Sequence, residues 1–369
     1  MVENKQRSCN LDLIRVFALL TVVSVHFFWD GTFYDQVIDS PYMVFPLCVR
    51  NFSMICVPLF LMLSGYLLKN RKPCKSYYCK LFQTVGIYLL SSIAYCILVY
   101  CLRREEFSLG KAIRGIFAFE TLSYAWYIEM YIGLFLMIPF FNMAYGNCSD
   151  KGKKLLVITA LILTALPSLL NIWRPHDLSW WLRPGSSNEY FEIAPDQWEA
   201  MHFFTFYFIG AYLRDFPLKL KPLPTLLLAV GVCLVGGVFT YYRCYGYIFA
   251  GWAWTSYQSV LTTVQSVLVF HFLNSLDLSK LGNGWKKLLK KLSSWVLGAY
   301  LCSSFFDEYF YPQLVEAQPV FLRSFLYYPV MVAAVAVCSI AVSVPVTEFY
   351  HLCEGLVVKW CRRREEKVS

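Results

Sequence analysis

The sequence predicts an all-α integral membrane protein, a bundle of about ten transmembrane helices with both termini cytoplasmic. Three features carry that expectation. Of the 369 residues, 58% are hydrophobic and only 15% charged, with a mean hydropathy of +0.49. A water-soluble domain has about 25% charged and about 45–50% apolar residues, so the surplus here must face lipid. Apolar stretches of roughly 20 residues, the length that crosses a hydrocarbon core of about 30 Å, recur ten times. The Lys and Arg residues fall unevenly among the segments that join them. A disordered chain, a secreted disulfide scaffold and a collagen-like repeat are excluded by the same composition, and the ten-residue alternating pattern of an outer-membrane barrel is absent.

The ten stretches run at about 11–29, 45–68, 81–102, 124–144, 155–173, 199–213, 223–241, 255–273, 293–311 and 325–348. The sixth is short and the ninth carries acidic residues. With the N-terminus inside, the inner segments hold 23 of the 33 Lys and Arg residues and the outer loops 8. Basic loops are retained in the cytoplasm, so both tails are expected there. The net charge of +9 is then a topology signal, and no nucleic-acid partner is expected, because no loop has the aromatic interleaving or domain size for one. The first stretch holds Arg15 and His26 and ends in Phe27, Phe28 and Trp29 with no small-residue cleavage pattern, so it is expected to be a retained helix. The domain organisation is thus a tail (1–10), a transmembrane domain (11–348) and a basic tail (349–369). The 14 Cys residues are scattered, and Cys74 and Cys79 have no second pair near them, so no metal site is expected. The longest outer loop, about 174–198, is rich in Trp and Pro (Ser179, Trp180, Trp181, Leu182, Arg183, Pro184) and suits a lid at the interface.

No loop is large enough to be a folded domain, so function must reside among the helices, where ionisable residues are costly and mark working sites. Arg15 and His26 are eleven positions apart, which puts them about 20° from one helix face with roughly 16.5 Å of rise between them. The plain alternative is that each snorkels to its own headgroup layer. The second stretch places Arg50 and Asn51 near its outer end and Ser64 and Gly65 near its inner end; a Ser-Gly pair also suits close helix packing. Glu129 falls in the outer third of the fourth stretch, level with His26 and Arg50, as an ion-pair partner for Arg50 or the carboxylate that orients His26. Asp307 and Glu308 lie near the outer end of the ninth, where a wet interfacial position is the plain reading. Two polar levels result, an outer one of His26, Arg50, Asn51 and Glu129, joined or not by Asp307, and an inner one of Arg15, Ser64, Gly65 and Lys80. A His held by a carboxylate can act as general base toward a hydroxyl, and an inner cationic mouth suits an anionic cytoplasmic molecule.

The first stretch begins LDLIR and spaces Arg15 from His26 by ten residues. With LFLMLSGYLL, WYIEMYIGLFLMIPFFN, FYFIGAYL and LGAYLCSSFFDEYFYP in order, the chain from about 10 to 345 resembles the acyltransferase 3 family of bacterial integral-membrane acyltransferases. The resemblance implies transfer of an acyl group, most often acetyl from acetyl-CoA, to a hydroxyl of a cell-surface or lipid-linked carbohydrate, at the bacterial inner (cytoplasmic) membrane. It implies acetyl-CoA or another acyl-CoA as co-substrate, with no permanently bound cofactor, and the bilayer and a carbohydrate acceptor as partners. The family's motif His, tied to acyl transfer, maps onto His26; its motif Arg, tied to donor handling, onto Arg15; its Ser-Gly pair onto Ser64 and Gly65. The sequence departs from many relatives where they carry further His residues, having Ala125 before Trp126 and Cys302 after Leu301.

The expected mechanism has His26, oriented by Glu129, deprotonate a sugar hydroxyl that attacks the thioester. Arg50 or Asn51 would stabilise the oxyanion, and Arg15 and Lys80 would bind the donor. An acyl-His relay satisfies the same residues. The rival function class is a secondary transporter, which also places His, Arg and Glu in its spans, although the sequence lacks the internal symmetry and paired broken segments of such carriers.

Overall fold

Helix α1 runs Cys9–Trp29 in the computed structural model, which describes residues 8–174, 178–182 and 191–368. It sits inside the bundle and packs against α2 (Val44–Ser53), α3 (Cys56–Leu68), α10 (Val260–Ser275), α11 (Asn283–Ala317) and α12 (Tyr328–Val368). The remaining helices are α4 (Leu81–Leu102), α5 (Leu109–Phe117), α6 (Trp126–Gly146), α7 (Asp150–Thr164), α8 (His202–Asp215) and α9 (Pro222–Cys244). Single helical turns lie between them. Among the described residues the only β contact is an isolated bridge between Ile38 and Tyr245. The fold is all-α.

Among the described residues six helical stretches are long and apolar enough to cross a membrane: Cys9–Trp29, Pro41–Leu68, Lys75–Leu102, Trp126–Gly146, Pro222–Cys244 and Phe321–Leu356. The other four stretches expected from sequence are helical too. Three of them, α7, α8 and α10, have only 15, 14 and 16 residues, while the 35-residue α11 carries polar and acidic side chains through its apolar part.

Proline sets two details that hydropathy does not register. The second stretch is broken between α2 and α3 at Met54 and Ile55. Pro58 causes this, because its nitrogen cannot donate to the carbonyl of Met54 and its ring crowds that carbonyl. Pro139 lies inside α6 and denies a hydrogen bond to the Phe135 carbonyl in the same way. There Tyr77 supplies the missing donor, its hydroxyl reaching Phe135 O at 2.6 Å, so the buried carbonyl is satisfied and the helix continues.

Glycine brings α3 and α8 into backbone contact. A Cβ on Gly65 would collide with the Tyr207 carbonyl, and one on Gly210 with the Met62 carbonyl. At the ends of these helices Asp215 takes ion pairs from Lys69 and from Lys153 (3.4 Å), and Arg214 Nη1 donates to Tyr66 O at 2.7 Å. The Trp-rich turn Leu178–Leu182 is docked on the end of α9. Trp180 is buried, the Arg243 guanidinium lies 3.9 Å from its ring, and Arg243 Nη1 donates to Trp180 O at 3.0 Å. Arg183 and Pro184, assigned with this turn to an interfacial lid, lie outside the described residues.

Helices α1 and α11 run side by side in the same direction and are joined by two polar rungs. At one level Arg15 Nη1 donates to Ser293 Oγ at 2.7 Å; at the other His26 Nδ1 meets Asp307 Oδ2 at 3.1 Å. These rungs bracket the candidate site.

Candidate active site

His26 is at the last turn of α1, where continued helix carries it inward between α11 and the segment preceding α6. Its side chain is 13% exposed, whereas that of Asp307 is fully buried. A buried carboxylate on Nδ1 holds the proton on that nitrogen and leaves Nε2 as the basic one. Among the described residues Nε2 has no hydrogen-bond partner. The Tyr124 ring stacks on the imidazole with centroids 3.6 Å apart and an interplanar angle of 17°. Its hydroxyl donates to Asp307 Oδ2 at 2.8 Å and lies 3.2 Å from Asp30 Oδ2. One hydroxyl thus links two carboxyl groups and fixes the face of the imidazole. Asp30, just past the end of α1, has its carboxyl pushed up to about 6 by burial and by the charge of Asp307.

Below this dyad lies a cavity of about 560 Å³. One end is lined by Arg15, Ser64, Ser293 and His351, and the end toward the dyad by Val22, Tyr127, Ile128 and Tyr300. Val22 is one helical turn before His26, so this end stops roughly 6 Å of rise short of the imidazole. Arg15, ion-paired with Asp12 at 3.4 Å, thus stands at one end of a largely apolar cavity, and the His26 imidazole lies one turn beyond the other.

Of the residues singled out in the sequence, Arg15 and Ser64 line one cavity and His26, a turn beyond it, is paired with Asp307; the others lie apart from these. Glu129 does not orient His26. It is exposed on α6, while Tyr127 and Ile128 are buried; one residue further on turns the side chain 100° away from the interior. Asp307 takes the place assigned to Glu129. Gly65 serves the contact with α8, whereas its neighbour Ser64 faces the cavity. Lys80 is exposed at the start of α4 and does not line the cavity. Arg50 is buried, with Nη1 donating to Thr255 Oγ1 at 2.6 Å and Nε to Tyr34 OH at 3.1 Å, and its guanidinium is 4.4 Å from the Phe249 ring. Asn51 donates to Thr240 Oγ1 at 2.9 Å. Both side chains tie α2 to α9 and the turn Trp252–Thr255, and among the described residues no hydrogen bond joins either to His26 or Glu129.

Tyr124 and Asp30 were not singled out by sequence. Asp30 follows the first apolar stretch directly and so shares the depth of His26, which was a usable signal. Tyr124 stands in an aromatic-rich segment, and nothing in the sequence separates it from Tyr127 or Tyr131.

Residues 10–346 match the acyltransferase domain family Acyl_transf_3. No curated protein and no solved structure matches the chain. The match covers nearly the whole chain, which therefore belongs to the acyltransferase 3 family and is a membrane acyltransferase that uses an acyl donor.

Proposed function

We propose that this acyltransferase moves an acyl group, acetyl foremost, from cytoplasmic acyl-CoA to a hydroxyl of a cell-surface or lipid-linked carbohydrate at a bacterial inner membrane. In this reading the chain crosses the bilayer ten times with both termini in the cytoplasm. The observation that carries it is the cavity with Arg15 at one end and the His26–Asp307 pair one turn beyond the other.

The anionic head of the donor stays at the cationic mouth with Arg15, and its thioester is carried up the apolar channel on the flexible pantetheine arm. Nε2 of His26 removes the proton from the acceptor hydroxyl as that oxygen attacks the thioester carbon. A C–O bond forms, the C–S bond breaks, and the departing CoA sulfur takes the proton back from Nε2. Asp307 stabilises the imidazolium between the two transfers without itself accepting its proton. Proton transfer by a positioned base of this kind contributes about 10²–10⁴-fold.

The test is His26→Ala in membranes supplied with acetyl-CoA and acceptor. Free CoA release and acceptor labelling should both vanish. Undiminished acylation would remove His26 from the mechanism, and movement of substrate across the membrane without CoA release would point to a carrier.

A further inference from the structure

A second cavity, of about 530 Å³, lies beside the dyad and has no part in the chemistry above. Its lining residue Glu308, and Ser123 which bonds to it, are each the chain neighbour of a residue of the dyad's surroundings. Glu308 follows Asp307 on α11, and Ser123 precedes Tyr124. Glu308 anchors the shared wall: its carboxylate accepts from Tyr95 OH at 2.7 Å, Arg103 Nη2 at 3.1 Å and Ser123 Oγ at 3.0 Å.

The opposite wall is α5, whose two faces differ sharply. Leu109, Ile113 and Phe117, one turn apart from each other, are 65%, 51% and 79% exposed. Lys111 and Arg114 project from the other side and line the cavity. A short helix with a bare apolar stripe and a basic opposite face rests in the headgroup layer, apolar side toward the acyl chains. The cavity therefore opens at headgroup depth. Its lining includes three cations, Arg103, Lys111 and Arg114, and two carboxylates, Glu120 and Glu308. Arg103 is paired with Glu308, so Lys111 and Arg114 face the cavity's contents with Glu120 as the remaining carboxylate. Residues three apart on a helix are neighbours at about 5–6 Å between Cβ atoms, a spacing that lets two cations grip one phosphate.

We infer that this cavity is an anion subsite for the acceptor, in which Lys111 and Arg114 hold the phosphate of a lipid-linked saccharide and so direct a sugar hydroxyl toward Nε2 of His26. A neutral soluble glycan would need neither the paired cations nor an opening in the headgroup layer. The inference rests on the acyltransfer reading and narrows its acceptor class. The phosphate could also be that of an ordinary phospholipid, and the experiment separates the two.

The full chain in detergent is titrated with a farnesyl phosphate-linked hexose, with the same hexose as a neutral farnesyl glycoside, and with acetyl-CoA. The phosphate-linked probe should bind roughly tenfold or more tightly than the glycoside, and added salt should weaken that preference. The double variant Lys111→Gln, Arg114→Gln should lose the preference while acetyl-CoA binding is unchanged, and Lys111→Arg should retain it. Equal binding of the two probes, or a preference that survives the double variant, overturns the assignment. So does complete competition by an equal concentration of phosphatidylglycerol, which would make the cavity a phospholipid site. Loss of acetyl-CoA binding in Arg15→Ala leaves this subsite intact, whereas acylation that persists in His26→Ala defeats the acyltransfer mechanism and not the phosphate preference, so the two failures are distinguishable.

Discussion

An imidazole becomes a directed base when one of its nitrogens is committed to a carboxylate, and in this protein the choice of carboxylate is made by helix rotation. Asp307 and Glu308 are adjacent, yet the first is fully buried against His26 and the second points to Arg103, Tyr95 and Ser123. Hydropathy and span position give the depth of a side chain along the membrane normal, which is why His26, Glu129 and Asp307 could all be placed at one level from sequence. They give no azimuth, and azimuth depends on which helices become neighbours; Glu129 was therefore put beside His26 when it faces outward. Asp307→Asn should lower the turnover number by about 10²–10⁴-fold with acetyl-CoA binding intact, as steady-state kinetics on purified protein would show; wild-type turnover would leave His26 without its partner. Asp30 yields a pH effect of definite sign. Its folded value of about 6 is above its ordinary 3.8, so the folded state binds this proton more tightly than the unfolded state. The stability it contributes is complete below about pH 4 and is lost as pH rises through about 6. Asp30→Asn should accordingly raise the thermal midpoint in detergent more at pH 7.5 than at pH 4.5, and an equal rise at both would mean the carboxyl is not destabilised by burial.

Among the helices, the Ser64–Gly65 pair shows how one motif serves two purposes. The sequence left it between substrate binding and close packing, and the structure divides the pair: Ser64 lines the cavity, while Gly65 lets α3 meet the backbone of α8 at Gly210. Adjacent residues on a helix face directions 100° apart, so a dipeptide motif rarely acts as a unit. Gly65→Ala forces a methyl group against the Tyr207 carbonyl and should destabilise the protein by about 1–3 kcal/mol, read as a lowered thermal midpoint, with Ser64→Ala nearly neutral. The break at Met54 and the continuity of α6 through Pro139 were less legible. The first needs the geometry of Pro58, and the second depends on Tyr77, a residue 58 positions from the carbonyl it satisfies.

Taken as a whole, the molecule is built around α1, which is enclosed by α2, α3, α10, α11 and α12. The apolar stretches announced the helices because lipid exposure is a matter of composition, and helices occupy all ten stretches. The pairing of α1 with α11, 281 residues apart at the His26–Asp307 contact, has no signature in either segment. That pairing places the Arg15 rung and the His26 rung on one axis, with the first cavity between them and the second beside the upper rung. Such a molecule should work from two sides. In sealed inside-out membrane vesicles, radiolabelled acetyl-CoA supplied only to the exposed cytoplasmic face should yield acetylated acceptor in the protected lumen with the wild-type chain, and none with His26→Ala. Label that reaches the luminal acceptor equally well with His26→Ala would overturn the role given to this imidazole.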